Sequence, residues 1–178
     1  RPQVFEKDGL RHDAGPTVLT APFLFDELFE LFGKRREDYV RFVSVDPWYR
    51  FVFSDGTVFN YGDTLAKTLS EIGKISPDDE SGYLRLLDRA RRIFDVGFTE
   101  LSDRPFHRAQ TMLGQVPNLI QLGCYRTVWQ MVGKYLKSRH LRQAFSIHPL
   151  LVGGNPVETT SIYTLIHCLE QKWGVHLG

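Results

Sequence analysis

The chain has 178 residues, 42% of them hydrophobic and 24% charged, and a formal net charge of +1. That composition fits a folded domain with a real core, and the near-neutral charge gives no electrostatic basis for binding nucleic acid. Cys124 and Cys168 form no CxxC pair, which favours two buried thiols over a disulfide framework or a cysteine zinc site. No run of about 18 apolar residues is present to span a bilayer.

The first predicted element is a hairpin. Gln3 to Lys7 and Leu10 to Asp13 flank Asp8-Gly9, a two-residue turn signal. Asp13-Ala14-Gly15-Pro16-Thr17 follows. Gly15 permits a close backbone approach, and Pro16 bars helix at the residue before it. By its residues alone this is a strand-end turn or a site of close approach. Pro22 to Phe32 predicts a helix, with Phe25, Leu28, Phe29 and Phe32 on one face and Gly33 ending it. Lys34 to Asp38 reads as a solvated link.

Val40 to Val45 is apolar and extended, and Pro47 interrupts it. Tyr49 to Phe53 and Thr57 to Tyr61 flank Ser54-Asp55-Gly56, a second hairpin signal. Its faces suit either the core or the wall of an apolar cavity, and core is the plainer reading. Thr64 to Ile75 predicts a helix with Asp63 as a possible cap. Ser76-Pro77-Asp78-Asp79-Glu80 opens the clearest helix, with Ser76 as cap and acids near the positive dipole end. Its apolar stripe runs from Tyr83 through Leu86, Ala90 and Ile93 to Leu101.

Ser102 to Pro105 breaks the chain, and Phe106 to Gly114 predicts a short helix. Tyr125, Val128, Trp129, Val132, Tyr135 and Leu136 then share a helical face beside Arg126, Lys134, Lys137 and Arg139. Such a face suits a core or a membrane interface. A turn or two of helix over His140 to His148 leads to Gly153-Gly154-Asn155-Pro156, a loop needing backbone freedom. From Thr159 or Thr160, Ile162, Leu165, Ile166, Leu169 and Trp173 predict a helix with Tyr163, His167 and Glu170 on its opposite side. Gly174 stops it and Val175 to Leu177 begins a strand.

No catalytic motif stands out. GxGxxG, GxSxG and HExxH are missing from the sequence. The six histidines form no pair at metal-ligand spacing, so each is read as a surface or satisfied core residue and no metal is expected. Asp78, Asp79 and Glu80 are read as helix-start acids.

The words LLVGGNP and TSIYTLIH, followed by LE and WGV, resemble the bacterial-type phytoene desaturases, of the flavin-dependent carotenoid dehydrogenase and amine-oxidase superfamily. The resemblance returns in DGLRHDAGPTVLT, FSDGTVFNY and HLRQAFSIHPLL, and so covers nearly the whole chain. It implies an α+β fold in which a small antiparallel sheet packs against a helical cap, as the substrate-binding insertion of a flavin-dependent amine-oxidase or carotenoid-desaturase-like fold. Residues 1–20 would be a remnant of the flavin domain and 21–178 the substrate-binding domain, with a helical, membrane-facing part at about 63–150. The candidate membrane segment is Pro117 to Lys137.

The resemblance places Arg1, Gly15, Pro16 and Thr17 beside FAD in a full-length parent. The start at Arg1 and the lack of a phosphate cradle suggest a piece of something longer that does not hold FAD tightly by itself. The implied partners are a long polyene hydrocarbon, phytoene or a relative, and a peripheral site on the cytoplasmic side of the bacterial membrane. The implied activity is stepwise desaturation in carotenoid biosynthesis. Better-known members carry an Arg-Asp pair where this chain has Gln110-Thr111 before Met112-Leu113, so no catalytic residue is assigned. Two alternatives stay open: a related carotenoid dehydrogenase or saturase, and a non-catalytic apolar-ligand or membrane-surface module.

Overall fold

The computed structural model describes residues 3–14, 18–62, 64–100, 117 and 120–177. Strands β1 (Gln3–Lys7) and β2 (Leu10–Ala14) form an antiparallel hairpin with Lys7 opposite Leu10. Asp8 and Gly9 have φ of 54° and 77°, the left-handed pair that matches a two-residue turn to strand twist. Gly15, Pro16 and Thr17 lie outside the described residues, as does Arg1.

Helix α1 (Phe23–Glu30) follows the short strand β3 (Val18–Leu19). Its predicted apolar face is not in a core: none of its residues is buried, and Phe32 just beyond it is 73% exposed. Phe25 and Phe29 instead meet Phe42 and Tyr39 at ring separations of 5.3 Å each. The link read as solvated is partly packed. Arg36 donates to Asp26 at 2.6 Å and lies 4.3 Å over the Phe42 ring. Of the extended stretch Val40 to Val45, strand β4 (Val43–Ser44) pairs in a sheet.

Strands β5 (Tyr49–Val52) and β6 (Val58–Tyr61) pair antiparallel, with Phe51 opposite Phe59. Their turn forms because Asp55 accepts a hydrogen bond from the Thr57 N–H at 3.0 Å while Gly56 takes φ 85°. Alternation then decides the packing. Phe59 and Tyr61 point into the core and Val52 and Val58 point out.

Helix α2 (Leu65–Ile75) is capped by Thr64, whose side chain accepts from the Lys67 N–H at 3.2 Å. Asp63, the cap expected from sequence, lies outside the described residues. Helix α3 (Asp79–Phe94) buries Tyr83, Leu86, Ala90 and Ile93 along one stripe, as the periodicity predicts. Beyond Phe94 the helix widens to a π turn over Asp95–Glu100. Ser76 does not cap with its side chain: its carbonyl accepts from the Asp79 N–H at 3.0 Å. Asp79 does more than meet the dipole. Fully buried, it accepts from the N–H groups of Lys137 and Ser138, each at 2.8 Å.

Those two residues join helix α4 (Val128–Tyr135) to helix α5 (Arg139–Ala144). A reciprocal Thr127–Gln130 capping box starts α4. Val128, Met131, Val132 and Leu136 all turn into the core, while Tyr125 is exposed. Aromatic rings unite the core: Phe145 lies 5.5 Å from Phe59, 5.2 Å from Tyr61 and 4.6 Å from Tyr83. Burying side chains of this size stabilises by roughly 1.5–3 kcal/mol each.

Helix α6 (Ile166–Trp173) ends at Gly174, with φ 78°, and releases strand β7 (His176–Leu177). Strand β7 sits between β3 and β4, antiparallel to both. The end of the chain thereby closes on its beginning.

Candidate functional site: an apolar groove backed by a buried histidine–glutamate cluster

The stretch from Ala144 to Val157 separates two environments. On its outer side is a groove of about 530 Å³. Phe51 and Phe53 from the hairpin, Trp129 from α4, and Ile147, Leu150, Pro156 and Val157 from the stretch itself line it. Ser54, Gln143 and Ser146 add polar groups to the lining. Leu150 and Val157 remain 59% and 53% exposed, so the groove presents apolar surface to whatever lies beside it. Arg142 stands 4.0 Å over the Trp129 ring and donates to the Trp129 carbonyl at 3.3 Å, fixing one wall.

The loop between the groove residues is held closely. Residues His148–Val152 form a 3-10 turn that ends at Gly153, with φ 77°. The Gly154 N–H donates to the Pro149 carbonyl at 2.7 Å. A Cβ at Gly154 would meet Thr159 Oγ1 at 2.7 Å, which is why this position carries none. Asn155 completes the turn by accepting from the Val157 N–H at 3.1 Å. The glycines and asparagine of the sequence motif are thus accounted for by backbone geometry.

On its inner side the stretch carries His148. Its Nε2 lies 3.0 Å from Oε1 of Glu170, and both side chains are 0% exposed. His167, also at 0%, places its Nε2 3.0 Å from the Phe145 carbonyl. The His148 and His167 ring centroids are 4.2 Å apart at 76°. Carboxylate and carbonyl oxygens only accept, so both imidazoles carry their proton on Nε2. Burial, then the adjacent His148, push His167 well below the ordinary imidazole range. Burial, then the Glu170 carboxylate, push Tyr49 far above the ordinary phenol range.

The helix after the loop is packed on both of its faces. Thr160 starts it, its side chain accepting from the Ile162 N–H, and Ser161–Leu165 is a 3-10 turn before α6. On the predicted apolar face Leu169 is buried and Ile162 and Leu165 pack against Ile93, Leu122 and Cys124. His167 and Glu170, expected on the open side, are in the core as well. His148 and His167 are hydrogen-bonded core histidines. His148 and His167 are 19 positions apart in sequence, a spacing with no local metal or catalytic signature, and tertiary packing brings them together.

The other expected positions give no geometry. Gln110, Thr111, Met112 and Leu113 lie outside the described residues, as do most of the predicted helix break and the short helix around them. Among the described residues no glycine turn leads from a strand into a helix N-terminus as a dinucleotide cradle requires, and α3 begins with Asp79 and Glu80, whose charge repels phosphate. The described residues therefore do not fit the flavin's pyrophosphate. No helix among them is long and apolar enough to cross a membrane.

No family model matches the chain. Curated relatives do. The chain is 45% identical over 98% of its length to a lycopene-forming phytoene desaturase of Pantoea ananas, covering 36% of that protein. It is 43% identical over 98% to a lycopene-forming phytoene desaturase of Pseudescherichia vulneris, covering 36% of it. A neurosporene-forming phytoene desaturase of Rhodobacter capsulatus is 36% identical over 96% of the chain, which covers 32% of it. The chain spans about a third of the length of these relatives. Across nearly all its residues the chain is therefore similar to one segment of the phytoene desaturases.

Proposed function

We propose that a protein carrying this chain desaturates a long polyene hydrocarbon, phytoene or a relative, in carotenoid biosynthesis, and that this chain supplies part of the polyene's apolar enclosure. The observation that carries the reading is the groove between the β5–β6 hairpin, Trp129 and the Ile147–Val157 stretch, in a chain 45% identical to a lycopene-forming desaturase. A polyene has no polar handle, so recognition rests on aromatic and aliphatic walls and the exclusion of water. Phe51, Phe53, Trp129 and Ile147 offer such walls.

The hydride acceptor in this reading is FAD, held by parts of the protein other than the described residues. It takes the hydride, and this chain orients the hydrocarbon and keeps water away. In the same reading residues 21–178 are the substrate-binding insertion of a flavin-dependent amine-oxidase-like fold, residues 1–20 belong to the flavin domain, and the whole works on the cytoplasmic face of the membrane as a peripheral protein. Arg1 and the turn Gly15, Pro16 and Thr17 then stand beside the flavin.

The test is expression of the full-length protein in a phytoene-accumulating host, with extraction of the pigments. New conjugated polyenes are the expected result and count the desaturation steps. Unchanged phytoene beside folded, flavin-loaded protein would favour a related carotenoid dehydrogenase acting on another polyene.

A further inference from the structure

We propose that Arg142 is a positioning residue that holds the Trp129 ring as a fixed flat wall of the groove, and that this wall selects stiffened, partly desaturated polyenes for the later steps. The inference rests on the desaturase reading above and deepens it. The Arg142 guanidinium carbon stands 4.0 Å from the Trp129 ring centroid. Trp129 lines the groove and Arg142 does not, so the ring stands between the cation and the groove. Among the described residues no carboxylate ion-pairs with Arg142, which leaves the indole as the partner of its charge.

Trp129 is held at three points. Its N–H donates to the Pro156 carbonyl at 3.0 Å, which ties α4 to another residue of the groove lining. Its carbonyl accepts from Arg142 Nε at 3.3 Å, and the guanidinium covers its ring. Arg142 is itself well placed. It sits on α5, and Asp79 fixes the corner before that helix through the N–H groups of Lys137 and Ser138. Gly133 leaves the space. It lies one turn after Trp129 on α4, and a Cβ there would collide with Cζ and Nε of Arg142. The planar guanidinium thus lies against a bare stretch of α4 and the indole at once, because residue 133 carries no side chain.

The chemistry of the polyene gives the wall its role. Phytoene has saturated carbons between most of its double bonds and bends freely, whereas each desaturation extends a planar, stiff conjugated run. A fixed planar ring makes full contact with a planar chain and cannot follow a bent one. A ring free to turn meets both alike. Held by Arg142, Trp129 favours the return of partly desaturated chains to the groove, and that return carries the product through successive steps. Arg142 acts only through Trp129 and takes no part in the hydride chemistry.

The experiment uses the full-length, flavin-loaded protein, with phytoene and, separately, neurosporene supplied in liposomes. Trp129→Leu removes the wall and Arg142→Met removes its support. In each, the KM for neurosporene should rise at least about fivefold relative to the KM for phytoene, and the share of end product should fall with it. Gly133→Ala displaces the guanidinium without altering either residue. It should shift the same ratio in the same direction, and it replaces Arg142→Met should that variant fail to fold. A lower kcat or thermal midpoint with an unshifted KM ratio makes Arg142 merely structural and overturns the proposal. A shift in Trp129→Leu alone overturns the positioning role. Wild-type protein that leaves both polyenes unchanged overturns the desaturase reading and this inference with it, whereas an active wild type with unshifted variants overturns this inference alone.

Discussion

His148 and Glu170 meet at 3.0 Å in a place neither shares with solvent, one from the loop behind the groove and the other from α6. Glu170→Ala removes the acceptor and leaves the His148 Nε2–H buried and unsatisfied. The expected cost is about 3 kcal/mol, and Glu170→Gln, which keeps a carbonyl acceptor, should cost less than half of that. Urea unfolding of the two variants beside wild type checks the pair.

Asp79 holds the α4–α5 corner onto α3 by accepting from two backbone N–H groups. Hydrogen bonds to a charged acceptor contribute roughly 1.5–3 kcal/mol each. Asp79→Ala should therefore destabilise by about 3 kcal/mol or more, and Asp79→Asn, which retains one acceptor oxygen, by clearly less. The urea midpoints of the two variants, at equal slope, give the comparison.

Gly82 and Gly153 should respond differently to alanine. A Cβ at Gly82 would lie 2.2 Å from the Tyr135 carbonyl oxygen, a backbone atom that cannot swing aside. Gly82→Ala must push α3 away from α4, an overpacking cost of about 3 kcal/mol. A Cβ at Gly153 meets nothing within 4 Å, and only its φ of 77° opposes the change. Gly153→Ala should cost about 1–2 kcal/mol. Thermal midpoints that fall equally in the two variants would contradict the packing explanation.

Alkaline pH should unfold the core through its tyrosines. Burial is the first cause that raises Tyr61 and Tyr83 well above the ordinary phenol value of 10.0. The folded value exceeds the unfolded one, so the phenols' contribution is intact below pH 10 and is lost as pH climbs from there toward the folded values. Tyrosinate absorbance of these two residues should appear together with loss of far-UV signal, not before it. Tyr83→Phe removes one such phenol and should blunt the alkaline loss.

The local elements were legible because short-range chemistry determines them. Asp8-Gly9 and Ser54-Asp55-Gly56 turn where their backbones require it, and the α3 stripe from Tyr83 to Ile93 is buried as its period predicts. The family was legible from contiguous words around Gly153-Gly154. The candidate site was only half legible. Periodicity placed Leu169, Ile162 and Leu165 inward, where they pack, but it left the other side of α6 open. The His148–Glu170 and His167–Phe145 hydrogen bonds bury that side too. Asp79 was mistaken in part for the same reason: its partners at Lys137 and Ser138 are distant in sequence. The α1 face was read correctly as apolar, but its partners cannot be found in periodicity.

The most direct measurement is of the groove's contact with the polyene. Leu150→Trp and Val157→Trp fill the groove from its exposed rim, and Leu84→Trp places the same bulk on an exposed residue that does not line it. Each is placed in the full-length protein, expressed in a phytoene-accumulating host, and its pigments are compared with wild type at equal flavin-loaded protein. The account predicts that the two groove variants accumulate phytoene or early intermediates, at least about tenfold less end product, while the Leu84 variant matches wild type. Groove variants with an unchanged product profile would contradict it.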